Sequence, residues 1–434
     1  MSNLGCVYVV HAVDTEGPLY ESKEATEKRI LEIFGCSLSE IKKDPIKYEK
    51  YKKVFSNHLQ NYLGDVDQLR NLLGSKIFNK DWRSKFIDSN KDQWITTWHC
   101  LDWVGFINNP RRRIEGIHKV YDIYRDYLNK SKFNDDIQFH FHPTSISKFA
   151  NSNSQSIFQD TKIFDILSRR VIDRNFFPNS FRAGFHIERP DLNWFLEQWI
   201  PYDLSNINKN DKLNIQADMA DGRGGDWRTA PSSWEIYNPS HDDYSQSGSC
   251  RRYIGRILNI KGRHSAINEE EICSAFISAK KGGKVLLGLT GHDFRDLSLE
   301  IEYAYELISR ISKKYNIPFL FRSTSNGFID TLNLKQTGFS LDISFSDNNN
   351  EKSINVKEIK GSCFGPQPFL CFRLKDGRYI HDNFDFCIKN KPRSWSYTFT
   401  DHTINLDKID KIGVASNSLV GDTFVKVFSV KDVI

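Results

Sequence analysis

The sequence predicts an α/β protein: a domain with a largely parallel sheet, open or closed, over residues 1–330, followed by an all-β sandwich over 331–434. Apolar runs of strand length alternate with amphipathic helical stretches for over 300 residues, the pattern of a largely parallel sheet. Several of those runs end in acids, histidines or an arginine, at the strand ends where α/β folds place their ligands. Near Thr331 the period changes to two. Phe339, Leu341, Ile343 and Phe345 alternate with polar residues, and the turn clusters "SDNNN", "KDG" and "NKP" separate similar runs.

Residues 5–14 read as a short buried strand, rich in valine, that feeds the loop "DTEGP". A polar, helical insertion follows over about 20–92, with "EKRILEIFG" and "YEKYKKVFSNHLQNYLG" its clearest pieces, and is expected beside a substrate cleft. "WITTWHCLDWVGF" (94–106) is the second strand. After Pro110 an amphipathic helix carries Ile114, Ile117, Val120, Tyr121, Tyr124 and Leu128 on one stripe. "IQFHFHP" (137–143) is a strand with alternating faces, followed by a helix near 160–172. "SFRAGFHI" is the next strand, and "RPDLNWFLEQW" a helix with proline near its start. Residues 221–252, rich in Gly, Asp, Ser and Trp, form a long irregular excursion. "EEICSAFISAKKGG" is a helix ended by glycine, "KVLLGLTGHD" a strand, "LSLEIEYAYELISRISKKY" a helix and "PFLFRS" a last strand.

The composition narrows the partners. The chain of 434 residues is 39% hydrophobic and carries a dispersed net charge of +5, so clusters such as Arg111-Arg112-Arg113 read as solvated surface and not as a nucleic-acid face. Eight scattered cysteines with no CxxC pair read as reduced thiols. No apolar run has membrane-spanning length and no secretory h-region is seen, so a cytoplasmic location is expected. A Walker loop, a dinucleotide glycine fingerprint and a serine nucleophile elbow are all missing from the sequence.

The strand ends carry the chemistry. Asp14 and Glu16 close the first strand, His140 and His142 another, Arg182 lies in "FRAG", and His292 and Asp293 follow "LLGLT". Side chains two apart on a strand share a face, so Asp14 pairs with Glu16 and His140 with His142. Two imidazoles and a carboxylate with one open position suit Zn²⁺ or a similar divalent ion. Each piece has a plainer meaning: a loop opening or cap for the acids, structural histidines, a buried ion pair for Arg182, a helix cap for His292-Asp293. His99 and Asp102 are candidate substrate contacts. His11, on the opposite face from Asp14, and His118 read as packed histidines; His186 reads as a site-wall residue.

Taken in order, these motifs resemble those of the polysaccharide deacetylases of carbohydrate esterase family 4, across roughly residues 5–325. The resemblance implies a distorted (β/α)7-type catalytic barrel in which Asp14 is the general base and Glu16, His140 and His142 hold the metal, most simply Zn²⁺, with Co²⁺ or Ni²⁺ as options. It further implies that Arg182 orients and tunes Asp14 and that His292 is the general acid. The sequence departs from the family in three places. Thr15 separates acids that are usually adjacent, the position four before His142 is Gln138, and "DGRGGDW" matches the Asp/Trp motif loosely, leaving Asp226 and Trp227 without a role. The implied activity is removal of an N-acyl group, most simply N-acetyl, from an amino sugar. The expected substrate is nucleotide- or lipid-linked and belongs to surface polysaccharide assembly. A sugar-binding protein on the same fold, a deformylase and a non-sugar amidase are the alternatives. The β-rich tail is expected to pack on the barrel, bind glycan or mediate homo-oligomerisation.

Overall fold

The computed structural model describes residues 5–17, 27, 30–32, 34–54, 63, 65–101, 118–142, 162–209, 225–261, 266–348, 351–387 and 393–432. Parts of several expected elements, including Asp102, Arg111 to Arg113, Ile114, Ile117 and much of the insertion before Asp65, lie outside these residues.

Eight parallel strands build the first part: β1 (Cys6–Thr15), β2 (Thr96–Leu101), β3 (Asp136–Phe141), β4 (Ser180–Ala183), β5 (Tyr202–Asn206), β6 (Tyr253–Asn259), β7 (Lys284–His292) and β8 (Phe319–Arg322). The first seven close into a barrel, because β1 pairs with β7 on one side and β2 on the other. The second edge of β1 is shared: Val7 to Val10 pair with β8, and His11 to Thr15 with β2.

The strand period of two sorts the side chains. Val7, Val9 and Val13 face outward with Trp98, Leu287 and Leu289, under the helices Glu269–Lys280 and Leu297–Tyr315. Val10, Ala12, Leu204, Ile254 and Leu286 face inward. Each such aliphatic burial contributes roughly 1.5–3 kcal/mol. The helix Thr324–Leu332 fills the N-terminal half of the barrel. Phe328 stacks on Tyr202 at 4.8 Å, and a Cβ on Gly327 would lie 2.4 Å from Val10 Cγ2.

The stretch of the insertion from Leu69 to Phe86 covers the outer barrel wall, while Leu63 N donates to the carbonyl of Phe294, two residues beyond His292, at 2.8 Å. Its apolar residues Leu69, Leu72, Leu73, Ile77, Trp82 and Phe86 join Trp94, Trp98 and Phe321. Buried Arg83 locks it there, bonding Asp135 at 2.8 and 3.0 Å and the carbonyls of Ile77 and Trp94.

Beyond Ser340 lie two four-stranded antiparallel sheets, the sandwich expected from the alternating pattern. One orders β13 (Asp385–Phe386), β14 (Ser394–Phe399), β10 (Glu351–Lys360) and β9 (Ser340–Asn348). The other orders β12 (Tyr379–Asp382), β11 (Phe369–Leu374), β15 (Ile409–Asn417) and β16 (Thr423–Ser429). Ile354, Val356 and Trp395 meet Leu370, Phe372 and Ile412 between them. The second sheet also packs on the barrel, through Phe369, Cys371 and Ala415 against the helices Lys162–Arg174 and Pro190–Trp199. Buried Asn417 Nδ2 donates to the carbonyls of Pro178 (2.7 Å) and Trp199 (2.8 Å), just before β4 and β5. All eight cysteines are free thiols, and among the described residues no helix is long and apolar enough to cross a membrane.

Candidate metal centre

The C-terminal ends of β1, β3, β4 and β7 bring Asp14, Glu16, His140, His142, Arg182 and His292 together. Asp14, His140, Arg182 and His292 are carried by the strands themselves; Glu16 and His142 stand one residue beyond their strands' ends. Parallel register aligns them: Asp14 lies opposite His292, and His140 opposite Arg182.

Glu16, His140 and His142 form a buried group whose candidate ligand atoms all fall within 4.8 Å of one another. His140 Nε2 and His142 Nε2 are 3.0 Å apart, and Glu16 Oε1 lies 4.0 Å from the first and 3.5 Å from the second. Zn–N bonds of about 2.0–2.1 Å at tetrahedral angles place donor atoms roughly 3.3 Å apart, so these separations bracket a tetrahedral ion. The His140 tautomer also fits. Its Nδ1 faces the Arg182 carbonyl at 2.9 Å, and a carbonyl only accepts, so Nδ1 bears the proton and Nε2 presents a lone pair to the group. Burial, opposed in part by the nearby Asp14 carboxylate, pushes the His140 imidazole down to about 4, which keeps it neutral as a ligand must be. The residues present therefore fit a divalent cation.

Asp14 is held apart from this group by a fork. Arg182 Nε and Nη2 bond Asp14 Oδ1 and Oδ2 at 2.7 and 2.9 Å, and Arg182 Nη1 donates to the Leu204 carbonyl. Burial alone would raise the Asp14 carboxyl, but Arg182, aided by His140, outweighs it and holds the group well below the usual carboxylate range. His292 Nε2 stands 3.7 Å from Asp14 Oδ2 and 3.6 Å from Glu16 Oε1. Its side chain is 17% exposed against 1–6% for Asp14, Glu16 and His140, so it faces the mouth of the barrel.

The remaining candidates resolve individually. His99 is buried in the barrel, with ring nitrogens 3.3 Å from the Phe139 carbonyl and Thr324 Oγ1, which makes it part of the floor. His11 lies on the outer face and accepts from Trp94 Nε1 at 3.1 Å. His118 bonds Asp173. Asp293 is not a helix cap, since Asp296 caps the helix Leu297–Tyr315. Asp293 instead accepts from Gly17 N and, at 2.6 Å, from the Tyr124 hydroxyl, tying the Glu16 loop to the end of β7. Asp226 forms an exposed pair with Arg228, and Trp227 is buried.

Sequence patterning places His186 at the site wall but misses the turn that carries it behind His142. Strand β4 stops at Ala183, where "SFRAGFHI" reads as continuous strand, and a left-handed turn follows with φ +53° at both Phe185 and His186. Non-glycine residues hold this conformation at about 1–2 kcal/mol each. The turn sets Phe185 edge-on to the His142 ring, 4.7 Å away at 83°. A Cβ on Gly184 would lie 2.3 Å from His142 Cγ. Gly184→Ala is therefore expected to displace that imidazole and weaken zinc binding by about 10–100-fold, as read by competition with a chromophoric chelator. Unchanged affinity would contradict the close approach.

No protein-family model matches the chain, and neither the curated proteins nor the solved structures contain a match.

Proposed function

We propose that the protein is a metal-dependent hydrolase that removes an N-acyl group, in the simplest case acetyl, from an amino sugar. The observation that carries this is the juxtaposition, at one barrel end, of a His₂Glu group, an arginine-clamped carboxylate and a more accessible histidine. The arrangement matches what the motif resemblance to the polysaccharide deacetylases implies.

Glu16, His140 and His142 would hold the ion, which when bound polarises an acyl carbonyl and makes water a competent nucleophile near neutral pH. Asp14, kept ionised by Arg182, takes the proton from the attacking water. His292 approaches from the mouth, where a leaving nitrogen would sit, and delivers a proton to the departing amine. Each of these transfers contributes roughly 10²–10⁴-fold. The Arg182 fork fixes the Asp14 carboxylate, so proton transfer does not wait on rotamer search. A sugar joined to a nucleotide or lipid carrier, as in surface polysaccharide assembly, is the substrate this reading favours.

The test is a panel of N-acetyl and N-formyl amino sugars, free and carrier-linked, with non-sugar amides alongside, incubated with protein loaded with Zn²⁺, Co²⁺ or Ni²⁺. Amine release from an acylated sugar is expected only with metal. His292→Ala should lower kcat by about 10²–10⁴-fold while keeping the ion. Release from non-sugar amides alone would move the substrate class, and no release from any member by metal-loaded protein would sink the hydrolase assignment.

A further inference from the structure

Trp227 and Gly225 both bond the turn behind His142. Gly225 N donates to the Phe185 carbonyl at 3.2 Å, and Trp227 Nε1 donates to the His186 carbonyl at 2.8 Å. The approach is so close that a Cβ on Gly225 would lie 1.8 Å from His186 O. Trp227 is itself fixed, fully buried and edge-on to Tyr244 at 4.9 Å, while the Tyr244 hydroxyl donates to the Asp226 carbonyl at 3.0 Å.

On the other side of the turn lies His142, against Gly184 and the edge of Phe185. Strand β3 ends at Phe141, so His142 stands one residue beyond the strand, against this turn. Two successive left-handed residues persist only where neighbours over-determine them. The peptide carbonyls of those two residues are the ones that Gly225 and Trp227 bind.

We propose that Trp227 and Gly225 are positioning residues for the metal ligand His142, acting through the strained Gly184–His186 turn. This rests on the metal reading above. The segment after β5 thereby sets the geometry of a ligand on β3, giving the "GDW" residues a task that does not need contact with substrate.

Trp227→Phe keeps most of the ring and deletes the one N–H. Trp234→Phe is the control: Trp234 is equally buried, and its Nε1 bonds the Glu271 carbonyl and Ser274 on the outer side. Apo-protein is titrated with Zn²⁺ against a chromophoric chelator, and the Co²⁺ form is read by its visible absorption. Trp227→Phe should weaken Zn²⁺ by about 10–100-fold and alter the Co²⁺ bands. Trp234→Phe should lower thermal stability while leaving both metal readouts within about twofold of wild type. If Trp227→Phe does not fold, Tyr244→Phe removes the hydroxyl behind Asp226 and should weaken Zn²⁺ by about 10-fold, the lower end of such supporting effects. Wild-type affinity and spectrum in the folded Trp227 or Tyr244 variant, or equal weakening in Trp234→Phe, overturns the proposal. Failure of the wild-type protein to bind any divalent ion would instead remove the metal reading, and this inference with it.

Discussion

Replacing His140 and His142 together with alanine is expected to weaken Zn²⁺ by more than about 10³-fold, since two of three protein ligands go and catalytic zinc sites have few to spare. Wild-type protein should carry one ion per chain after metal loading and dialysis, the variant none, as measured by elemental analysis. The same loss appears in stability. An ion that binds only the folded chain stabilises it by about 2.7 kcal/mol at a hundredfold excess over Kd, so the wild-type Tm should rise with added zinc. The variant's Tm should stay flat. One retained ion per chain in the double variant would place the site elsewhere.

The second large effect concerns the fork between Arg182 and Asp14, whose side chains are 0% and 3% exposed. Arg182→Met leaves a buried carboxylate without its partner and should destabilise the fold by about 3–5 kcal/mol at pH 7. Asp14→Asn on that background should recover part of the loss. The pH dependence has a definite sign. In the wild type Asp14 is held below its unfolded value of 3.8, so the stability it contributes is present above pH 3.8 and is lost as pH falls further. In Arg182→Met, burial is the largest remaining influence and raises the group against the smaller pull of His140 and His292, so protonation relieves the variant as pH falls from 7 towards 4. The gap between the two proteins in urea unfolding should therefore be widest at pH 7 and shrink on acidification. A gap independent of pH would mean that Arg182 acts by packing and not by charge.

Much of the candidate site was legible because parallel strands make it so. A spacing of two puts Asp14 beside Glu16 and His140 beside His142 on one face, and chemistry-bearing residues at several strand tips converge when the sheet closes. Sequence spacing is silent where a contact joins distant segments through backbone atoms. The bond from Trp227 to the His186 carbonyl spans 41 residues, and that from Tyr124 to Asp293 spans 169. Neither has a local signature. The turn at Phe185 and His186 was hidden for a related reason: Phe185 favours a strand locally and sits in an apolar-rich run, and tertiary bonds hold both residues in the left-handed region. In the insertion, net polarity masks the apolar residues between Leu69 and Phe86 that bind it to the outer wall.

The helix Thr324–Leu332 has one further consequence. With Phe328 and Gly327 packed among Tyr202, Val10 and Leu286, the cylinder is a blind well and not a tunnel. A polymer cannot thread through it. Whatever enters must leave by the same rim, so only a group short enough to be lowered in from above can reach the cluster at Glu16, His140 and His142.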